Sequence, residues 1–204
     1  MDMAKGKRES LTAADWTEAA LEALARGGLP AVAVEPLAKE LGATKGSFYW
    51  HFADRNALLQ ATLELWERRD TDRVIAAIDE GQDALARLRN LLRLAFASVP
   101  DGSAGPAGTV ELALQASAAH VLVAPVLSRV TKRRLAFLTR LYSELGLSPA
   151  RARDRGLLAY TAFLGHAQIA HATPGLLPTG RAFAAHVDQV VDALIRIDRP
   201  GPPG

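Results

Sequence analysis

The stretch Val34–Phe52, VEPLAKELGATKGSFYWHF, constrains this chain more than any other part of it. Leu37, Ala38 and Leu41 fall on one side of a helix, at spacings of one, three and four. Gly42 supplies the permissive backbone that ends that helix at its carboxyl side. Thr44 is placed to cap a second helix, because its side-chain oxygen can accept from the amides of the following turn. In that second helix Phe48 and Phe52 are four apart and point inward, while Lys45, Ser47, Tyr49 and Trp50 project elsewhere. Gly46 carries no side chain to hold a ligand off. Two helices joined by a short Gly-containing turn make a helix-turn-helix, whose second helix enters the DNA major groove by its N-terminal residues.

The run Leu37-Ala38-x-x-Leu41-Gly42-x-Thr44-Lys45-Gly46-Ser47-Phe48-Tyr49-Trp50-His51-Phe52 is followed by Asp54-Arg55 and an apolar helix. Together they resemble the DNA-binding signature of the TetR/AcrR family of transcriptional regulators. The resemblance in wording covers about the first third of the chain; beyond it only length and helix order are similar. It implies that Thr44, Lys45, Gly46 and Ser47 form the leading turn that approaches bases, with Lys45 the candidate for reading a guanine edge. It further implies that Tyr49 and His51 hydrogen-bond phosphates and that Trp50 lies against the backbone or a thymine methyl. Arg55 would hold a phosphate beside the next helix's N-terminus, where backbone amides already favour an anion. The alternative for Tyr49, Trp50 and His51 is packing between domains. The chain departs from the family pattern at Ala33, where a threonine is common: alanine lacks the capping oxygen, a loss of about 1 kcal/mol. Glu35 would repel a phosphate that it faced.

Charge adds less than a pI near 9.1 suggests, because the formal net charge is only +2. From Met1 to Arg55 the seven basic residues are outnumbered by eight acidic ones. DNA recognition therefore has to rest on a few placed groups and not on a bulk basic field. The absence of cysteine excludes disulfides, thiolate zinc sites and a cysteine nucleophile. No apolar run approaches the ~18 residues that suggest a membrane span, and the polar N-terminus has no signal-peptide core. A cytoplasmic protein is expected.

Read in order, residues 1–9 form a flexible basic arm carrying Lys5, Lys7 and Arg8, with a disordered, solvated terminus as the alternative. Residues 10–69 are expected to form the DNA-binding domain, with its helix-turn-helix at about 33–52, and 70–204 a larger domain for ligand binding and dimerisation. Thr12-x-x-Asp15 resembles a capping box, and the helix it opens stops at Gly27-Gly28. Asp54 caps a long fourth helix to about Glu80, broken by Gly81-Gln82-Asp83. A helix from Leu85 to Val99, a mobile loop over 100–108, an Ala-rich helix over 109–120 and a helix opened by Pro125 follow. Ser148-Pro149 starts the next helix, which runs to about His171, and Thr179 opens the last, apolar through Ile197 and ending at Pro200. The expectation is an all-α fold of about nine helices.

In the last two helices Ala159, Ala162, Gly165, Phe183, Val187, Val190, Val191 and Leu194 are candidates for a dimer interface, with an intrachain core as the alternative. The resemblance implies that these helices form a four-helix contact with a second copy, matched to a palindromic operator in double-stranded DNA. Candidates for an effector pocket are Trp66, Phe96, Glu111, Gln115, Tyr142, Tyr160, Phe163 and His166, which suit a small, mostly apolar ligand with few polar anchors. No cofactor is implied. Lys132-Arg133-Arg134 reads as a solvated helix face. Neither His166 with His171 nor His186 with Asp188 has helix-face spacing, and no HExxH motif occurs, so an enzyme is not expected. The competing classes are a helical small-molecule enzyme or carrier and a ligand-independent DNA binder. The favoured reading is a ligand-released repressor.

Overall fold

The structure is a computed structural model, and it describes residues 11–78, 83–99, 101 and 110–196. All regular structure among them is helical. The first helix, α1 (Ala13–Ala31), opens on the expected capping box, with Thr12 Oγ1 accepting from Asp15 N at 3.3 Å and Asp15 accepting from Thr12 N at 2.7 Å. The bond from the Thr12 backbone, then that from its side chain, holds the Asp15 carboxyl below the usual carboxylate range. The regular path of α1 ends at Gly27-Gly28, where Gly28 takes φ 66°, a left-handed conformation that costs glycine little. A last turn through Pro30 leads to α2 (Val34–Glu40) and α3 (Lys45–Tyr49).

The fourth helix is one rod in three parts. After α4 (Arg55–Glu67), capped by Asp54, five residues (Arg68–Asp72) follow a wider π-helical turn, and α5 (Arg73–Ile78) continues. The expected single helix is therefore interrupted by a surplus residue in its hydrogen-bond ladder, a feature that often marks functional sites. Then come α6 (Ala84–Ala97), α7 (Val110–Gln115), α8 (Val123–Glu144), α9 (Pro149–Ala172) and α10 (Gly180–Ile195), with one 3₁₀ turn (Pro174–Leu176) before α10. Counting α4, the π turn and α5 together, the described residues hold nine helical rods, as expected. The Ala-rich helix is shorter than its composition suggests: α7 stops at Gln115 and the chain turns through 116–121.

Two cores hold the molecule together. The first joins α1 to α4 through Trp16, Phe48, Leu59 and Trp66, and extends beyond residue 69 to Leu114 of α7 and Val123, Val126 and Val130 of α8. The second gathers Leu88 and Phe96 of α6, Phe137 and Leu141 of α8, Tyr160 of α9 and Val191 of α10. At 1.5 Å per residue α8 is about 33 Å long, enough to serve both. Gly156 lets α9 lie close on it, since a Cβ there would meet Thr139 Oγ1 at 3.2 Å. The basic arm over 1–9, Glu80, Gly81, Gln82, most of the 100–108 loop, Ile197 and Pro200 lie outside the described residues.

Candidate DNA-binding surface and ligand cavity

Phe48 decides how α3 is presented. Its fully buried ring meets Trp16 edge-on at 5.3 Å and stacks on Phe52 at 5.7 Å. With that residue inside, Lys45 and Gly46 face out, Ser47 is half-buried, and Tyr49 and Trp50 are 60% and 88% exposed. A tryptophan so open to water adds little to the chain's own packing, and beside Tyr49 it makes an exposed aromatic pair. Thr44 caps α3 as expected, accepting from Ser47 N at 3.2 Å. Ala33 precedes α2 with no side-chain cap bond.

Three of the expected DNA contacts have partners within the chain. Lys45 pairs with Glu35 across the gap between α2 and α3, the two side chains being 58% and 71% exposed. The hydrogen bond between them, then their mutual attraction, raises the Lys45 ammonium and lowers the Glu35 carboxyl from their ordinary values. The His51 ring, through Nε2, lies 2.9 Å from the Leu11 carbonyl oxygen. Arg55 donates from Nε to the Val32 carbonyl and from Nη2 to the Leu29 carbonyl, each at 2.6 Å. Arg55 therefore braces the exit of α1 against α4.

At the other end of the rod is a cavity of about 380 Å³, bounded by the π turn, α5, α6, α7, α8 and α9. Most of its wall is apolar, including Ile75, Leu92, Phe96, Phe137 and Phe163. Its polar groups are Asp70, Thr71, Ser98, Glu111, Arg134 and Tyr160. The Arg134 guanidinium donates from Nε to Thr71 Oγ1 at 3.0 Å, from Nη1 to Glu111 Oε2 at 2.5 Å and from Nη2 to the Asp70 carbonyl at 3.2 Å. Its flat face lies over Trp66, 5.3 Å from the ring centroid. Glu111 Oε1 also accepts from Gln115 Nε2 at 3.1 Å and the Tyr160 hydroxyl at 3.3 Å. Burial, with help from Glu111, pushes the Tyr160 phenol up; partial desolvation likewise raises the Asp70 carboxyl.

Of the eight pocket candidates, Trp66, Phe96, Glu111, Tyr160 and Phe163 line this cavity. Gln115 stands one bond behind Glu111. Tyr142 belongs to the second core: its hydroxyl donates to the Leu194 carbonyl at 3.0 Å, and burial pushes its pKa up to about 12. His166 packs beside Phe96 at 5.3 Å and His186 at 5.6 Å, and burial, then His186, lowers its pKa. The Lys132-Arg133-Arg134 reading is corrected for one of its members, Arg134. Arg134 enters the cavity wall, while Lys132 and Arg133 stay on the solvated face, Arg133 pairing there with Asp72 at 2.7 Å. Asp188 pairs with Arg93 at 2.9 Å, on a different face from His166. Among the described residues no three His, Asp or Glu side chains are grouped to hold a metal ion, and no helix is long and apolar enough to cross a membrane.

Residues 17–62 match the family described as bacterial regulatory proteins, tetR family. That stretch runs from α1 through the helix-turn-helix into α4. This N-terminal domain is a tetR-family domain. Solved structures extend the likeness over the helical body. A transcriptional regulator from Rhodococcus sp. Rha1 superimposes with TM-score 0.70 at 18% identity, over 91% of this chain and 94% of that one. A regulator from Saccharomonospora viridis in complex with choline gives TM-score 0.70 at 18% identity, over 90% and 94%. The regulator FadR from Bacillus subtilis in complex with stearoyl-CoA gives TM-score 0.61 at 16% identity, over 90% and 98%. No curated protein sequence matches the chain. The chain thus has the fold of tetR-type transcriptional regulators.

In this tetR-type body the interface candidates divide. Ala159, Val187, Val191 and Leu194 are buried within the chain, because the apolar face of α10 packs on α6 beside the ion pairs Arg89–Asp192 and Arg93–Asp188. Those four correct to the intrachain core. Phe183 lies against His166 at 5.9 Å, and Ala162 and Val190 are half-buried. Gly165 is exposed, with nothing within 4 Å of where a Cβ would be. The outward faces carry other residues: Leu157, Leu158, Thr161, Ile169 and Ala172 on α9, and Ala182, Ala185, Gln189 and Ala193 on α10.

Proposed function

We infer that the chain is a homodimeric, ligand-responsive repressor that binds a palindromic operator with two copies of α3. The observation that carries this is the five-residue helix held by Phe48 with Lys45, Tyr49 and Trp50 turned to solvent. It has the size and capping of a reader that enters the major groove by its first turn. Thr44 to Ser47 approach bases, Tyr49 and Trp50 meet the backbone, and Lys45 leaves Glu35 to bond a guanine edge. His51 and Arg55 act from behind, holding the helix in register. The stripes of apolar and small residues outward on α9 and α10 support pairing with a second copy.

The ligand acts from the cavity. Asp70 and Thr71 lie in its wall, and the rod that carries them starts at Asp54, two residues after Phe52. A ligand that binds better when the rod is displaced alters the separation of the two α3 helices and releases the operator. Without such a difference in affinity it would shift nothing. The choline and stearoyl-CoA complexes of similar folds support a ligand role for this helical body. The test is selection of bound duplexes from a randomised pool at modest ionic strength. A palindrome retained by a dimer is expected; a strictly monomeric protein, or a pool that gives no palindrome, refutes the reading.

A further inference from the structure

The cavity's charges are unevenly spent, and the imbalance specifies what it takes. Three ionisable groups of opposite sign border it: Asp70, Glu111 and Arg134. Glu111 and Arg134 neutralise each other at 2.5 Å, with only 7% and 16% of their side chains exposed. Each is also satisfied elsewhere, Glu111 by Gln115 and Tyr160, Arg134 by Thr71, the Asp70 carbonyl and the face of Trp66. The Asp70 carboxylate accepts no hydrogen bond and forms no ion pair among the described residues; the residue remains exposed to solvent at the cavity's edge, and partial desolvation there raises its carboxyl against the pull of Arg134 and Arg69. It stands on the π turn, whose wider path also points Thr71 inward.

We propose that the cavity binds a monovalent organic cation with an apolar, partly aromatic body, and that Asp70 is its counter-ion. The proposal rests on the reading of this cavity as the effector site. An anionic ligand would have to displace Glu111 from Arg134 and strand a buried carboxylate, which is costly. A neutral ligand of the same shape would strip water from Asp70 without replacing it. A cation avoids both costs, and the aromatic side chains of Phe96 and Phe163 line the cavity beside its apolar body. A volume of about 380 Å³ admits an arylalkyl ammonium and not a long acyl chain with a large polar head.

The experiment titrates the full-length protein, without DNA, by calorimetry with three matched probes: 3-phenylpropyl-trimethylammonium, 3-phenylpropan-1-ol and 4-phenylbutanoate. The ammonium is expected to bind at least tenfold more tightly than either of the others. Asp70→Asn, shown to be folded by an unchanged circular dichroism melt, is expected to remove that preference and leave the alcohol's affinity as it was. Equal or tighter binding of the alcohol or carboxylate by the unaltered protein overturns the proposal, as does binding of none. So does an ammonium preference that survives Asp70→Asn. Operator release is measured separately: an ammonium that binds through Asp70 without freeing the operator refutes the repressor reading and leaves the site standing.

Discussion

Two cation–carboxylate pairs, Lys45–Glu35 on the DNA-binding head and Arg134–Glu111 in the cavity wall, join the same kinds of charge in opposite settings. The first pair is more than half exposed on both sides and spans two short helices. Water and salt screen it, so breaking it costs little and either partner is free to exchange for another. The second pair is nearly closed to solvent and holds α7, α8 and the π turn together. Its partners have lost their hydration, so neither can leave without stranding the other. On the proposed function, the contrast separates a surface that must let go in order to bind from a wall that must stay fixed.

The largest effect is expected from Glu111→Ala, which leaves Arg134 buried without its counter-charge. Stability should fall by about 3 kcal/mol, measured by denaturant unfolding. A loss no greater than that of an exposed pair would erase the contrast. Next, Lys45→Ala should cost ~1–3 kcal/mol of operator affinity and relax base preference at one position of each half-site. The same protein should melt normally; a clear drop in its melting temperature would show that the exposed pair holds the fold.

Acid should separate the two regions further. His166 has a lowered folded pKa, so the unfolded chain takes up its proton first as pH falls through about 6.5. Its contribution to stability is therefore complete above that pH and lost on going below it. His166→Phe should flatten the melting-temperature profile between pH 7 and 5. Glu35, whose carboxyl is held low by Lys45, stays ionised throughout that range. The smallest effect belongs to Glu35→Gln, which frees Lys45 and should tighten binding to any duplex a few-fold, read by titration at fixed salt. Unchanged affinity there would mean that the pair offers no resistance to DNA.

How far each region was legible in the sequence follows from how local its determinants are. Gly42, Thr44, Phe48 and Phe52 lie within eleven consecutive positions, and their spacing alone fixes the turn, the cap and the inward face. Thr12 and Asp15 are equally local. The cavity is built otherwise: Arg134 meets Thr71 across 63 positions and Glu111 across 23. Within Lys132-Arg133-Arg134 nothing local tells the cation that enters a wall from those that stay in water. Asp70 and Thr71 were hidden because a π turn leaves no periodic trace in so short a polar segment. For α9 and α10, one helix has two usable faces, and apolar spacing identified the one that packs inside the chain. His51 and Arg55 have backbone carbonyls as partners, and backbone groups carry no sequence signature.

The π turn at Arg68–Asp72 also absorbs one residue more than an even α ladder would hold there. Each residue of an α-helix advances the chain by about 100° of azimuth. Because the wider turn spreads that extra step, deleting a single residue from it would restore an even ladder and leave Val74 and Ile75 close to the lining they now provide. Moving the surplus position up or down the rod, with no change in its length, would turn only the residues between its old and new places. On the proposed reading, a ligand that moves such a slip re-aims the side chains at the cavity without lengthening the rod.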